Sequence, residues 1–440
     1  MSLLGLDVGT TGCKALAFDA DGRRLASAYR EYATAHPRPG WSELDSEAVW
    51  KHVCAVISEV ARRTAHDPIT ALCVSSIGEA MTPVSADRRI LGPSILCSDI
   101  RGREYADMLQ DSMGPERFYA INPNILNAAY SMPKLAWLRD HQPDLYRSAH
   151  RFLLWSDLVD FMLGADPMTS YSHANRTLLF DIHAERWSDE LLTRCGLDGE
   201  KLPGTVPSGT VAGRVSPKMA AELGLPDGVV IVVGGHDQCC NALGAGVIEP
   251  GMAVCGIGTF ECYAPAFRMP GDPLVMLRNG LNIEHHVVPD LYVTFAYNQS
   301  GSLVRWFRDT FAAAERGEAG IYDCLTAEMP HEPTRLLVLP YFEPTGPPEY
   351  VADAAGVILG LTPTTTRGEI LKAIMECTTL YFVELMDTLR DLDLGVHEFT
   401  ATGGGARSDA WLQIKADVFG IPFVRPRETE SAALGAAMLA

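Results

Sequence analysis

"GLDVGTTGCKALAFDADGR", residues 5–23, reads as two strands joined by a Gly-Thr-Thr turn. Leu3, Leu4, Leu6 and Val8 supply the apolar run of the first strand, and Leu16, Ala17 and Phe18 that of its return. Asp21-Gly22 is a hairpin-turn signal leading to a third strand near Leu25–Tyr29. One acid, Asp7, interrupts this apolar frame just before the turn. A charge at the end of a buried strand is costly unless something compensates it. Either Asp7 bonds nearby backbone N–H groups in a surface turn, or the turn has a ligand. In that second reading Thr10, Thr11 and Lys14 help to cradle phosphate oxygens, and Asp7 holds Mg²⁺ directly or through water.

The pattern returns in the second half. "MAVCGIGTFECYAPAF", residues 252–267, sets Gly258-Thr259 and Phe267 at the spacing of Gly9-Thr10 and Phe18. Gly256 stands where the first half has Asp7, so only the first turn carries a carboxylate. Strands and helices alternate between the two hairpins, which predicts an α/β fold. A helix is expected from Glu47 to about Arg63, capped by Asp45, with Val49, Val53, Val56, Ile57 and Val60 on one face. Strands are expected over 71–75 and 90–96, and helices around Leu135–Leu138 and over 152–163. The turn-rich "GVIEPGM" at 246–252 marks the domain boundary, giving domains 1–246 and 247–440.

Composition narrows the partners. The 440 residues are 47% hydrophobic, enough for large cores. Asp and Glu number 55 against 36 Lys and Arg, a formal charge of −19 that repels nucleic acid and anionic membranes. Neither a nucleic acid nor a membrane is expected as a partner. The 11 cysteines are scattered, without C-x-x-C, as in reduced cytosolic proteins. The N-terminus enters a strand without a cationic leader, and no apolar run reaches membrane-span length. The expected location is the cytoplasm, and a homodimer is the general prior for such an enzyme.

Two further stretches carry chemistry. "VVIVVGGHDQ", residues 229–238, is a buried strand that delivers Asp237 to a glycine-flexed end. An ionised carboxylate there can take a proton from an attacking hydroxyl, or Asp237 caps the helix that follows. Gly403-Gly404-Gly405-Ala406-Arg407-Ser408 joins a strand to a helix, where a glycine backbone approaches a ligand closely and a helix N-terminus favours anions. His236 and the His285-His286 pair lack a zinc-type ligand set and read as structural. The chain has neither a Walker G-x-x-x-x-G-K-[ST] nor a G-x-G-x-x-G after a strand, so a nucleotide would need another cradle.

Paired phosphate hairpins, a late glycine-rich loop and an acid before the second half together resemble the actin-like ATPase superfamily. Within it the chain is similar to the FGGY family of carbohydrate kinases, xylulokinase-like, over essentially its whole length. "GVILGLTPTTTRGEILKAIME", residues 356–376, fits the family's second-half signature. "DVGTTGCKALAFD", "GGHDQ" and "ATGGGARSDAWLQIKADVFG" each fit independently. The resemblance implies two actin-like (ribonuclease H-like) domains, with mixed sheets flanked by helices and an active-site cleft between them. It implies ATP and Mg²⁺ as cofactors and a small-molecule sugar as substrate.

Roles follow from the same resemblance. Asp7 would hold the metal, and Thr10 and Thr11 would face the phosphates. Gly258, Thr259 and Gly301 would contact ATP phosphates, while Gly404, Gly405 and Ser408 would border the nucleotide. Asp237 would be the base. Glu79, Asp99 and Arg101 would hydrogen-bond sugar hydroxyls, with Gln238 beside them. The expected reaction is phosphorylation of a primary hydroxyl of a ketose such as xylulose. The alternatives are a kinase for a polyol, a hexulose or a sugar acid (glycerol- or gluconokinase-like), and a non-catalytic nucleotide-gated sensor. Four departures from the family stand out. Cys97 replaces an aromatic two residues before Asp99, "GTFE" replaces "GTSG", and Ala355 replaces an arginine in "FEPTGPPEYVADAAG" at 342–356. Relatives also continue past the "SAALGAAMLA" ending, so the second domain is expected to be shortened.

Overall fold

The computed structural model describes residues 2–342 and 355–440. Most of the 342–356 stretch that departs from the family pattern therefore lies outside the described residues. The chain divides into two compact units. The first holds the residues up to Gly244 with Ile283–Tyr292 and Glu430–Ala440, and the second holds Ala245–Asn282 and Val293–Thr429. The sequence reading took 247–440 as one block, whereas the structure places 283–292 and 430–440 in the first unit.

The first unit is built on β1 (Ser2–Val8), β2 (Gly12–Phe18), β3 (Arg24–Glu31) and, after helix α1 (Ser46–Arg63), β4 (Ile69–Ser76). Later in the chain β5 (Val211–Arg214), β6 (Val230–His236) and helix α2 (Asp237–Gly244) complete it. The sheet order is β5-β6-β4-β1-β2-β3. It is mixed: β1 runs parallel to β4, and β4 to β6, while β1–β2 and β2–β3 are antiparallel. Period-two alternation decides what each face meets. Leu4, Leu6 and Val8 join Val53, Val56, Ile57 and Val60 of α1 in one core. Asp45 caps α1 by accepting from the Ala48 N–H at 3.0 Å, as the sequence predicts.

The opposite face, with Leu3, Gly5 and Asp7, has a different cover. Leu16 and Phe18 pack there against Ala433 and Ala437. Those alanines lie on the last helix, Ser431–Leu439, which also crosses α2. The crossing is close enough that a Cβ on Gly435 would run into the Cys240 carbonyl. The segment that ends the chain is thus part of the layer beneath the first hairpin.

The second unit repeats the hairpin plan. Its strands are β7 (Met252–Ile257), β8 (Phe260–Phe267), β9 (Ala296–Gln299), β10 (Glu398–Thr402) and β11 (Phe423–Val424). Its main helices are α3 (Gly301–Phe311), α4 (Arg367–Leu380) and α5 (Asp409–Phe419), so the last helix, 431–439, is α6. β7 is antiparallel to β8 and parallel to β10, just as β1 is antiparallel to β2 and parallel to β4. β11 extends the sheet beyond β10, and β9 pairs with β8.

Two local expectations change. Over 90–96 only Ser94–Ile95 pairs as strand, because Gly92-Pro93 interrupts the run. The helix expected over 152–163 starts at Trp155, since Arg151–Leu153 pairs with Thr82–Val84 instead.

The α2–α6 crossing yields a test. Gly435→Ala forces a methyl group into backbone and should cost about 1–3 kcal/mol. Chemical denaturation would show a lower midpoint, and an unchanged midpoint would contradict the packing described.

Candidate active site

In the first unit the functional side chains gather at the carboxyl ends of three neighbouring parallel strands. Asp7 of β1 is level with Ser75 of β4, which is level with Gly235 of β6. Asp237 begins α2 two residues beyond Gly235. One strand separates the two acids, so two strand spacings, about 10 Å, set the scale of the site. The Ser75 hydroxyl donates to Asp7 Oδ1 at 3.1 Å. Burial pushes the Asp7 carboxyl up to about 6. Burial, then repulsion from Asp7, pushes Asp237 up to about 7. The His236 imidazole lies 3.2 Å from Asp237 Oδ1 and is held neutral by burial and by Arg176.

The Gly9–Gly12 turn beside Asp7 is fixed by backbone and by one phenol. The Gly9 N–H donates to the Gly12 carbonyl at 2.9 Å, and Tyr32 Oη donates to the Gly9 carbonyl at 2.7 Å. Thr11 is exposed and Thr10 partly so, which leaves their hydroxyls open to a ligand. Lys14, level with Asp7 across β1–β2, pairs with Glu430 at 2.6 Å. That bond joins β2 to the segment entering α6.

Glu79, Asp99 and Arg101, the residues expected to meet a sugar, form two bonded groups. Glu79 is buried and pairs with Arg176, whose other amino group reaches Glu284 at 2.6 Å. The Arg176 guanidinium lies over the Tyr130 ring, 4.8 Å from its centroid. Asp99 is also buried. Burial works against its charge, but Arg101 and the N–H groups of Ser42 and Arg101 hold its carboxyl below the usual range. Arg101 in turn lies 3.8 Å from the Trp41 ring centroid and pairs with Glu43 at 2.7 Å. Asp99 and Arg101 are therefore first of all a bonded pair. Gln238 is half-buried next to Asp237.

The second unit brings its six expected nucleotide residues to one place. Gly258, Thr259, Gly301, Gly404, Gly405 and Ser408 all line one cavity of about 660 Å³, a size typical of small-molecule sites. The N-termini of α3 and α5 both open on it, and each favours negative charge. A Cβ on Gly301 would strike the Gly258 carbonyl, so only glycine lets α3 approach the turn. Arg305, Tyr322 and Trp411 also line the cavity, and Arg305 lies 3.5 Å from Thr259 Oγ1.

Sequence reading did not single out Tyr32, Arg176, Glu284 or Arg305. "NQSGSLVRWFRD" placed Arg305 one helical turn past Gly301, which was a readable signal. Arg176 and Glu284 meet across 108 residues of sequence, for which the chain offers no local sign.

Comparison with known proteins gives this geometry a family. The description "FGGY family of carbohydrate kinases, N-terminal domain" matches residues 2–244, and its C-terminal counterpart matches 275–440. The chain belongs to the FGGY family of carbohydrate kinases. This FGGY kinase is 26% identical to a xylulose kinase of Staphylococcus xylosus, over all of the chain and 90% of the relative. It is 30% identical to a glycerol kinase of Bordetella parapertussis, over all of the chain and 88% of the relative. The solved xylulose kinase of Rhodospirillum rubrum superposes with a TM-score of 0.89 at 27% identity, covering all of this chain and 89% of that one. The FGGY kinase is thus a phosphotransferase with an alcohol acceptor, and its family implies ATP as donor. Among its described residues no helix is long and apolar enough to cross a membrane.

The raised carboxyls predict a pH signature. Folded Asp7 and Asp237 keep protons that the unfolded chain loses near pH 4, so stability falls as pH rises from about 4 to about 7. Asp237→Asn removes part of that fall. Thermal melts of the ligand-free protein should show the variant gaining on the parent between pH 5 and pH 7. A difference independent of pH would contradict the burial of this charge.

Proposed function

We propose that this kinase transfers the γ-phosphoryl group of ATP to a primary hydroxyl of a small ketose such as xylulose, with Asp237 as the general base. The observation that carries the reading is the Asp237 carboxyl at a strand end, raised to about 7. A base whose pKa lies near the working pH combines a usable ionised fraction with a strong pull on the proton. The xylulose kinases among its relatives support the choice of acceptor.

The residues then divide the work. Asp237 accepts the hydroxyl proton as the acceptor oxygen attacks the γ-phosphorus in line, and ADP departs. Gln238 lies beside this base. Glu79, oriented by its pair with Arg176, accepts hydrogen bonds from sugar hydroxyls. Asp99 and Arg101 shape the wall beside it. The Thr10 and Thr11 hydroxyls and the Gly258-Thr259 turn bind phosphate oxygens. Gly301, Gly404, Gly405 and Ser408 border the nucleotide in the second unit's cavity.

Asp7 fits a magnesium role because it is a partly buried carboxylate whose charge lacks full compensation from the protein. Among the described residues no three His, Cys, Asp or Glu form a metal cage, which accords with Mg²⁺ held by one carboxylate, phosphates and water. When bound, Mg²⁺ supplies charge neutralisation on the phosphates.

The test is ADP release from Mg-ATP against a panel of ketoses, polyols and sugar acids, with Asp237→Asn alongside. A ketose should stimulate the parent most, and the variant should lose about 10²–10⁴ in kcat. Equal stimulation of the two proteins would overturn the base assignment. Stimulation only by a polyol or a sugar acid would overturn the ketose.

A further inference from the structure

The strand leaving the Gly258-Thr259 turn carries an acid, Glu261, with no exposure at all, and the core residue facing it is Lys415 of α5, equally buried. Lys415 Nζ lies 2.5 Å from Glu261 Oε1, 3.2 Å from Thr379 Oγ1 of α4 and 3.4 Å from Tyr263 Oη. The other carboxylate oxygen, Oε2, accepts from the Ser300 hydroxyl at 2.8 Å, immediately before α3 begins at Gly301. Burying two ions costs several kcal/mol each, and well-packed apolar residues would serve the core at least as well. What the pair provides is direction. Its bonds join β8, α3, α4 and α5, and the cavity walls include Thr259, Gly301, Met375 and Trp411, contributed by those elements or the turn between β7 and β8.

We propose that Glu261 and Lys415 are positioning residues for nucleotide binding: their ion pair fixes the Gly258-Thr259 turn against the N-termini of α3 and α5. Through Ser300 the pair sets where α3 starts, and through Lys415 it sets the depth of α5 behind Ser408. A small error at such a turn misplaces the phosphates, although neither side chain need touch them. The inference rests on reading the cavity as the nucleotide site.

The experiment is titration calorimetry with Mg-ADP, together with steady-state KM values, on three proteins. These are the parent, the double variant Glu261→Gln/Lys415→Met, and Ser300→Ala. The double variant removes both charges together, so no unpaired ion is left in the core. Its Kd for Mg-ADP and KM for ATP should rise about tenfold or more, while the acceptor KM stays within about twofold. Ser300→Ala should shift the same two quantities in the same direction, with a melting temperature close to the parent's. A cooperatively folded double variant that binds Mg-ADP within about twofold of the parent overturns the proposal. If the double variant does not fold, Ser300→Ala decides by the same criterion. A parent that binds no Mg-ADP overturns the nucleotide reading of the cavity, and the positioning role with it.

Discussion

The carboxylates of Asp7 and Asp237, held at the ends of buried parallel strands with one strand between them, are the constraint on which the first unit depends. Neither acid gains stability from its place, because burial pushes both toward protonation, joined by repulsion from Asp7 at Asp237 and from Glu430 at Asp7. The strand ladder keeps them there. Register places Asp7 beside Ser75 and Ser75 beside Gly235, and α2 then turns Asp237 out of the sheet end. The α6 helix seals the face beneath, with Gly435 against the Cys240 backbone. Charges that cost stability in the empty protein are suited to a ligand that brings a cation, phosphates and a hydroxyl proton.

The second unit uses the same hairpin plan without the acid. Gly256 replaces the carboxylate, and the work passes to backbone: two helix N-termini and a glycine loop open on one cavity. With a formal charge of −19, the chain offers no general attraction for a phosphate ligand. Local dipoles and N–H groups therefore have to provide it.

Much of this was legible in the sequence where the physics is local. The apolar run of Leu3, Leu4, Leu6 and Val8 announced β1, and Asp45 announced the start of α1. Gly404 and Gly405 of the glycine run line one cavity with the Gly258-Thr259 turn. What could not be read depends on distant partners. Arg176 bonds Glu284 across 108 residues, and Lys14 bonds Glu430 across 416. The "GTFE" departure at 258–261 carries no local sign that Glu261 pairs with Lys415, 154 residues away. The 283–292 and 431–439 segments follow the second hairpin in sequence yet pack in the first unit, because burial rather than chain order decides which core an apolar face joins. The resemblance implied sugar-binding roles for Asp99 and Arg101 but gave no sign of a pair that largely satisfies itself.

The most direct measurement is the titration of the Asp237 carboxyl itself. Infrared difference spectra of the ligand-free parent against Asp237→Asn would follow its carboxyl band from pH 4 to pH 9. A midpoint near 7 is predicted, moving down when Mg-ATP is added. A carboxyl already ionised at pH 5, in the ordinary range for aspartate, would contradict a buried base poised for proton abstraction.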